Sequence, residues 1–264
     1  MSSAPLLSVI IPIRNRTGPR LENCLMSLRA QRTSPVEGAA LFPPEAVEIL
    51  LSDFGSDPEP AREIVDMAGR HGARVVRTDT QALWNRSAAI NAALAQARGR
   101  FSFCTDADML FKDDFLAVLL GELEACPRMA MVLCKCRDLP DLGPERLYAQ
   151  TDYPGLEAQA SVRQAMGTGA CQAAETRWFR SIGGFDEGYV FWGFEDKDMV
   201  HRARCAGLEL RWIHERTSML HQWHRTTKND RYLRKLLNKA RYYATRSVVV
   251  KRTSLTAPPS APRP

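Results

Sequence analysis

The stretch RFSFCTDADMLF, residues 100–111, decides how the rest of the chain is read. Its first half is apolar and β-leaning, and it stops at two carboxylates one residue apart, Asp106 and Asp108, with only the small Ala107 between them. In extended backbone alternate side chains point to the same side, so both aspartates can aim oxygens at one place where a strand runs out. Carboxylate oxygens suit Mg²⁺ or Mn²⁺, ions that commonly keep open positions for water and substrate phosphates. The competing explanation is a strand-terminal turn, in which Asp bonds its own local backbone. Asp-X-Asp is short and frequent, so the surroundings decide between the two.

Working outward toward the N-terminus, three units precede this stretch. Residues 7–13 form a continuous apolar run, as expected of a strand buried on both faces, and Gly18-Pro19 then opens a helix with Leu21, Leu25 and Leu28 on one side. A second run, residues 47–51, leads to Asp53, and Asp57-Pro58 starts a helix with Ala61, Ile64, Val65 and Ala68 on its predicted buried face. A third short run, residues 74–77, precedes Trp84-Asn85-Arg86 and a helix through Ala97 that Gly99 is expected to close. Strands alternating with helices predict an α/β fold with a mostly parallel central sheet flanked by helices. Ligands in such sheets bind outside the carboxyl ends of the strands. Arg14, Asp53, Arg86, Asp106 and Asp108 all fall at or just past those ends.

Toward the C-terminus, Asp113 is placed as the cap of a helix, and residues 130–136 read as a fifth strand. Residues 138–164 dissolve into Pro, Gly and charge and read as a long loop, of the kind that forms lids or binding segments. A second informative stretch holds Gly167-Thr168-Gly169, then Ile182-Gly183-Gly184-Phe185-Asp186-Glu187, then Phe191-Trp192-Gly193-Phe194-Glu195-Asp196-Lys197-Asp198. Met199, Val200 and Ala203 have helical spacing, which sets Glu195 and Asp196 at a helix N-terminus, where free backbone amides favour a carboxylate. For Asp198 capping is the preferred role. Glu195 and Asp196 stand beside the aromatic faces of Trp192 and Phe194, a combination that resembles a sugar-binding surface. Further on, His221 and His224 are three residues apart and are candidate ligands for the cation held by Asp108.

Taken together, SVIIPIRNR, NRSAAIN, CTDAD, GGFDEGYVFWGFEDKD and HQWHR resemble the metal-dependent, inverting glycosyltransferases of the GT-A fold. The similarity is greatest to the group containing the β-1,4-galactosyltransferases, the chondroitin-type polymerases and many bacterial family 2 enzymes, and it covers residues 7 to about 229. It implies transfer of a galactose- or N-acetylgalactosamine-type sugar from a UDP-sugar donor to a glycan or glycolipid acceptor, with Mn²⁺ or Mg²⁺ as cofactor and a β-glycosidic product. By that resemblance Pro12, Arg14 and Arg16 lie where the family holds the nucleotide, Asp53 where an acid meets the uracil, and Arg86 at a donor phosphate. Asp106 falls near the ribose, Asp108 at the metal, Gly169 in a loop facing the donor sugar, Trp192 and Glu195 at acceptor and sugar, and Asp196 at the catalytic base. His224 takes the place of a histidine ligand and His221 that of a methionine ligand, so which imidazole coordinates is open. Phe194 replaces a glycine of the animal galactosyltransferases, so their acceptor preference is not transferred. A UDP-sugar-binding module without catalysis and a sugar-phosphate nucleotidyltransferase are the alternatives. The latter is expected to carry a glycine-rich, Lys-containing loop after the first strand, where this chain has Pro-Ile-Arg-Asn-Arg.

Size and charge bound these expectations. A chain of 264 residues, 45% hydrophobic, can bury a large core. Its seven cysteines are scattered and odd in number, as expected of reduced residues in a cytoplasmic protein, and Cys134 and Cys136 need no metal. No secretory leader is read in the first residues, and no run reaches the ~20 apolar residues of a membrane span. From residue 225 onward there are eleven Lys or Arg against one acid, +10 in a chain whose net charge is +6, which leaves −4 for the remainder. The expected division is a domain over 1–229 (a nucleotide-binding half, 1–110, and an acceptor and metal half, 111–229), a basic helical extension over 230–256, and a disordered Pro-rich tail over 257–264. The extension is expected to pack on the domain, with peripheral contact to the inner membrane face through its basic helix as the alternative. Nucleic acid is not an expected partner, because no recognition motif accompanies the charge.

Overall fold

All seven residues of the first apolar run are buried, and the single polar side chain among them, Ser8, donates its hydroxyl to Glu48. In the computed structural model, which describes residues 4–126, 128–164, 167–225 and 231–256, that run is strand β1 (Leu7–Ile13) and leads into helix α1 (Pro19–Arg29). Two more βα units follow, β2 (Val47–Phe54) with α2 (Pro58–Arg70) and β3 (Arg74–Thr78) with α3 (Arg86–Gln96). Then come β4 (Phe101–Cys104), β5 (Met109–Phe111), α4 (Phe115–Ala125), β6 (Ala130–Leu133), β7 (Arg137–Asp138), α5 (Tyr153–Glu157) and β8 (Ser161–Val162). The chain continues through β9 (Gln172–Glu175), α6 (Thr176–Ser181), α7 (Glu195–Cys205), β10 (Glu209–Trp212), β11 (Met219–His221) and α8 (Arg231–Thr245).

Seven strands form one sheet in the order β10-β6-β9-β4-β1-β2-β3, parallel except for β9, which runs against both β4 and β6. Period-two alternation sends Val9, Ile11 and Ile13 to one face, against α1, α2 and α4, and Ile10 to the other, against α3, α6 and α7. Both faces are therefore covered, which explains why the central strands are mostly apolar. Among the described residues no helix is long and apolar enough to cross a membrane.

Several local expectations change. Val65 of α2 is exposed and Met67 takes its place in the core, because the buried arc is set by Ile64, Met67 and Ala68. Asp114, not Asp113, stands at the N-cap of α4, while Asp113 pairs with Arg32. Gly99 does not close α3, which ends at Gln96; a Cβ at Gly99 would lie 2.5 Å from the Ser8 backbone nitrogen, so glycine is needed for the approach to β1. Asp198 is not a cap: it is fully buried and accepts from Arg202 Nε at 2.8 Å one turn along α7. Residues 138–164 are more ordered than a long loop, since Tyr153 and Leu156 of α5 pack with Leu110, Leu139 and Leu220 in a small core of their own. The predicted disordered tail, 257–264, lies outside the described residues.

What positions the site is a second sheet, in the order β5-β11-β7-β8. β5 begins one residue after Asp108 and pairs antiparallel with β11, His221 opposite Met109. β11 also pairs parallel with β7, His221 opposite Asp138, and β7 pairs with β8, Asp138 opposite Ser161. These registers draw residues 108, 138, 163 and 221 together from four distant parts of the chain.

Candidate active site

The cleft opens at the carboxyl ends of β1 and β4 and has a volume of about 540 Å³, a size that suits a small-molecule ligand. Pro12 lines it from the end of β1, Arg14 and Arg16 from the turn that follows, and Arg86 from the first turn of α3. Asp106 and Asp108 line it from the β4–β5 turn, Gly169 from the loop before β9, Trp192, Glu195 and Asp196 from the start of α7, and His221 and His224 from β11 and beyond. Of the predicted site residues, Asp53 is the one outside this lining. It is buried at the end of β2, its Oδ1 accepting from the Ser56 amide and its Oδ2 held by Arg77.

On one wall His224 Nε2 lies 3.3 Å and His221 Nε2 3.8 Å from Asp108 Oδ2. The ligand atoms of these three residues fall within 4.8 Å of one another. Burial alone would raise the Asp108 carboxyl, but the hydrogen bond from His224 and the charges of His221, His224 and Arg16 hold it below the ordinary range. Behind His221 stands Asp138, whose Oδ1 is 3.1 Å from His221 Nδ1 and which is itself held by Arg163. This bond leaves His221 Nε2 facing Asp108. Asp138 and Arg163 join this cluster from a stretch in which reading the sequence finds no candidate site residues.

On the other wall Arg86 donates to Asp106 Oδ1 from Nε and Nη2 at 3.1 and 2.9 Å, and from Nη2 to the Gly169 carbonyl at 2.6 Å. Asp106, the first aspartate of the motif, is thereby turned away from the imidazole cluster. Thr168 donates to Asp196 Oδ2 from its amide and hydroxyl, both at 3.2 Å. Glu195 is buried; desolvation pushes its carboxyl up to about 7, with Arg86 opposing and Asp196 adding to the rise. Arg86 Nη1, Glu195 Oε2 and Gln172 Oε1 are buried without hydrogen-bond partners among the described residues.

The loop entering α7 is strained. Phe191, Gly193 and Phe194 all have left-handed backbone, at φ 75°, 96° and 76°, which is costly for the two phenylalanines. The backbone of Phe194 is one that glycine adopts without cost. The loop is held by the Phe191 amide, which donates to the Trp84 carbonyl at 2.8 Å, and by Asn238 Nδ2, 3.0–3.1 Å from the carbonyls of Val190, Trp192 and Gly193.

A mostly parallel sheet with one reversed strand, and a cleft at its carboxyl ends carrying an acid–imidazole cluster, define a GT-A fold. The glycosyl transferase family 2 model matches residues 8–168, and the model described as the N-terminal domain of galactosyltransferase matches residues 157–225. The chain belongs to glycosyl transferase family 2. It is similar to a Sinorhizobium fredii protein, uncharacterized protein y4gI, with 25% identity over 240 residues, covering 86% of this chain but 23% of that protein. Among solved structures, GalNAc-T7 with UDP, GalNAc and Mn²⁺ superposes with a TM-score of 0.65 at 15% identity, over 93% of this chain and 48% of that one. The mannosyltransferase PcManGT from Pyrobaculum calidifontis, in complex with GDP-Man and Mn²⁺, gives 0.61 at 18% identity, over 98% and 67%. S. aureus TarS gives 0.59 at 17% identity, over 82% and 36%. At these identities the likeness speaks to the fold.

Proposed function

We propose that this chain is a metal-dependent, inverting glycosyltransferase that moves a hexose or N-acetylhexosamine from a UDP-sugar to a glycan hydroxyl, forming a β-glycosidic bond. The observation that carries this reading is the clustering of Asp108, His221 and His224 in the same cleft as Asp196. One carboxylate and two imidazoles make a mixed oxygen and nitrogen donor set, which fits a first-row divalent ion such as Mn²⁺ better than Mg²⁺. Bound there, such an ion supplies Lewis-acid stabilisation to a departing diphosphate. Arg14, Arg16 and Arg86 add fixed positive charge along the nucleotide side, with Arg86 Nη1 as a free donor. Pro12 shapes the same wall, and Gly169 serves through its carbonyl, which fixes Arg86.

Asp196 acts as the general base, taking the proton from the acceptor hydroxyl. Both Thr168 bonds fall on its Oδ2, which leaves Oδ1 for the acceptor. Glu195 and Trp192 bind the sugars, Glu195 through the oxygen that has no protein partner. A single base acting opposite the leaving group inverts the anomeric centre, and no second carboxylate is needed as nucleophile. Asp53 has no ligand role in this reading; it fixes the end of β2. The division at residue 229 belongs to the same proposal, with 1–110 holding the nucleotide, 111–229 the metal and acceptor, and 230–256 docked as a basic extension on the lip of the cleft.

The test is Mn²⁺-dependent release of UDP from UDP-Gal, UDP-GalNAc, UDP-Glc and UDP-GlcNAc, run with and without EDTA. At least one donor is expected to be hydrolysed, and Asp108→Ala is expected to lose metal-dependent UDP affinity by calorimetry. UDP binding that is equally strong in EDTA and in the variant would remove the metal from the mechanism.

A further inference from the structure

Helix α8 is packed the opposite way from an ordinary surface helix. Three of its polar residues face the domain: Asn238 is buried against the 190–193 carbonyls, Arg241 Nε and Nη2 bond Asp186 at 3.1 and 2.6 Å, and Lys235 Nζ stands 5.1 Å over the Trp192 ring. Tyr242 packs on Phe194 and His201 of the domain, but the leucines and Tyr243 face solvent, with Leu233 66%, Leu236 43%, Leu237 56% and Tyr243 57% exposed. With Ala240 and Ala244, also exposed, they recur at three- and four-residue intervals and make one continuous stripe. Arg234, Lys239 and Arg246 are exposed alongside it, and the helix contains five Lys or Arg and no acid. Just beyond, Val248 and Val250 are exposed at 51% and 57%.

We infer that this stripe docks on the surface of an anionic phospholipid bilayer, with α8 lying in the interfacial plane. An apolar face about one-third of the helix circumference wide, edged by cations, matches what headgroups and acyl boundary offer together. A second copy of the chain fits less well, because it would press two acid-free basic helices together. Residues 257–264, sequence APPSAPRP, contain no large apolar side chain to cover the stripe. The basic surplus of the C-terminal segment, on a chain whose remainder is −4, then has a function as a surface attraction. Because Asn238 and Lys235 hold Trp192 and Gly193, which line the cleft, docking sets one lip of the cleft at the bilayer. That consequence for acceptor delivery rests on the proposed sugar transfer; the docking itself does not.

The test is co-sedimentation of the full chain with phosphatidylcholine vesicles, with and without phosphatidylglycerol. Binding is expected to the phosphatidylglycerol vesicles, to weaken at high salt, and to fall by about tenfold or more on pure phosphatidylcholine. Each of Arg234→Gln and Lys239→Gln is expected to weaken it roughly fivefold. The triple variant Leu233→Glu, Leu236→Glu, Leu237→Glu changes exposed positions and keeps good helix formers, so its circular dichroism and UDP-sugar hydrolysis are expected to match the parent while vesicle binding is lost. Equal binding to both vesicle types would overturn the inference. So would a parent that ignores vesicles but sediments as a dimer which the triple variant dissolves.

Discussion

On the wall of the cleft that carries Asp108, the carboxylates are surrounded by groups that keep them ionised: Asp108 has two imidazoles, and Asp138 has Arg163 and His221. Both are held below their ordinary values even though burial pushes the other way. On the wall that begins α7, Glu195 is buried with one oxygen unpartnered and its carboxyl is pushed up to about 7. Arg86 Nη1 and Gln172 Oε1 are left unpaired beside it. In the proposed reading the first wall is the one that would hold a cation. The second keeps polar atoms free to pair with the hydroxyls of a sugar. Leaving a buried polar atom without a partner costs roughly 1–3 kcal/mol, so the three are open to groups that can pair with them.

The strongest way to break this comparison is at the second wall. Asp196→Asn is expected to lower turnover by about 10²–10⁴, while UDP and Mn²⁺ binding, which rest on Asp108, the imidazoles and the arginines rather than on Asp196, stay close to the parent by calorimetry. A variant that turns over normally would take the base away from Asp196. A variant that loses nucleotide binding would show that the walls do not act separately.

The first wall is sharpened by Asp138→Asn. Asp138 touches no ligand in this reading; it orients His221 from behind. Loss of such a partner typically costs 10–100-fold in metal affinity, and Mn²⁺ titration followed by electron paramagnetic resonance reads it without any turnover. An effect as large as that of Asp108→Ala would make Asp138 a ligand itself. No effect would mean that His224 and Asp108 hold the ion alone and that the contact with His221 is incidental.

The walls also differ in how much of them the sequence shows. The parallel half of the fold is legible because β1 and β2 are buried along their whole length and so appear as largely apolar runs, interrupted by Ser8 in β1 and by Glu48, Ser52 and Asp53 in β2. Asp106 and Asp108 are visible as the abrupt end of such a run. β5, β7, β8 and β9 have two to four residues each, too few for any period to register, and it is the pairing of β7 with β11 and of β8 with β7 that brings Asp138 and Arg163 to His221. Those two residues sit in a stretch of Pro, Gly and charge, and nothing local distinguishes them from solvated ion pairs. Asp53 shows the opposite limit: its place at a strand end is plain from sequence, but the commitment of its oxygens to Arg77 and Ser56 depends on where β3 runs. α8 reads as amphipathic, yet periodicity does not say which of its faces meets the domain.

The smallest expected effect is a matter of stability, and it isolates the ionisation of Glu195 from its packing. In the folded chain this carboxyl titrates near 7, against an ordinary value of 4.5. Between those limits the folded state binds more protons than the unfolded one, so the contribution of Glu195 to stability falls as pH rises, and the penalty is complete above 7. Glutamine carries no charge at any pH. Glu195→Gln is therefore expected to be more stable than the parent at pH 8, by on the order of 2–3 kcal/mol at most, and to lose that advantage on acidification toward pH 4.5. In a chain of this size that corresponds to roughly 4–10 °C in melting temperature, measured without nucleotide or metal at pH 8 and again at pH 5. A difference that is the same at both pH values would come from shape or hydrogen bonding, and the contrast in ionisation between the two walls would lose its support.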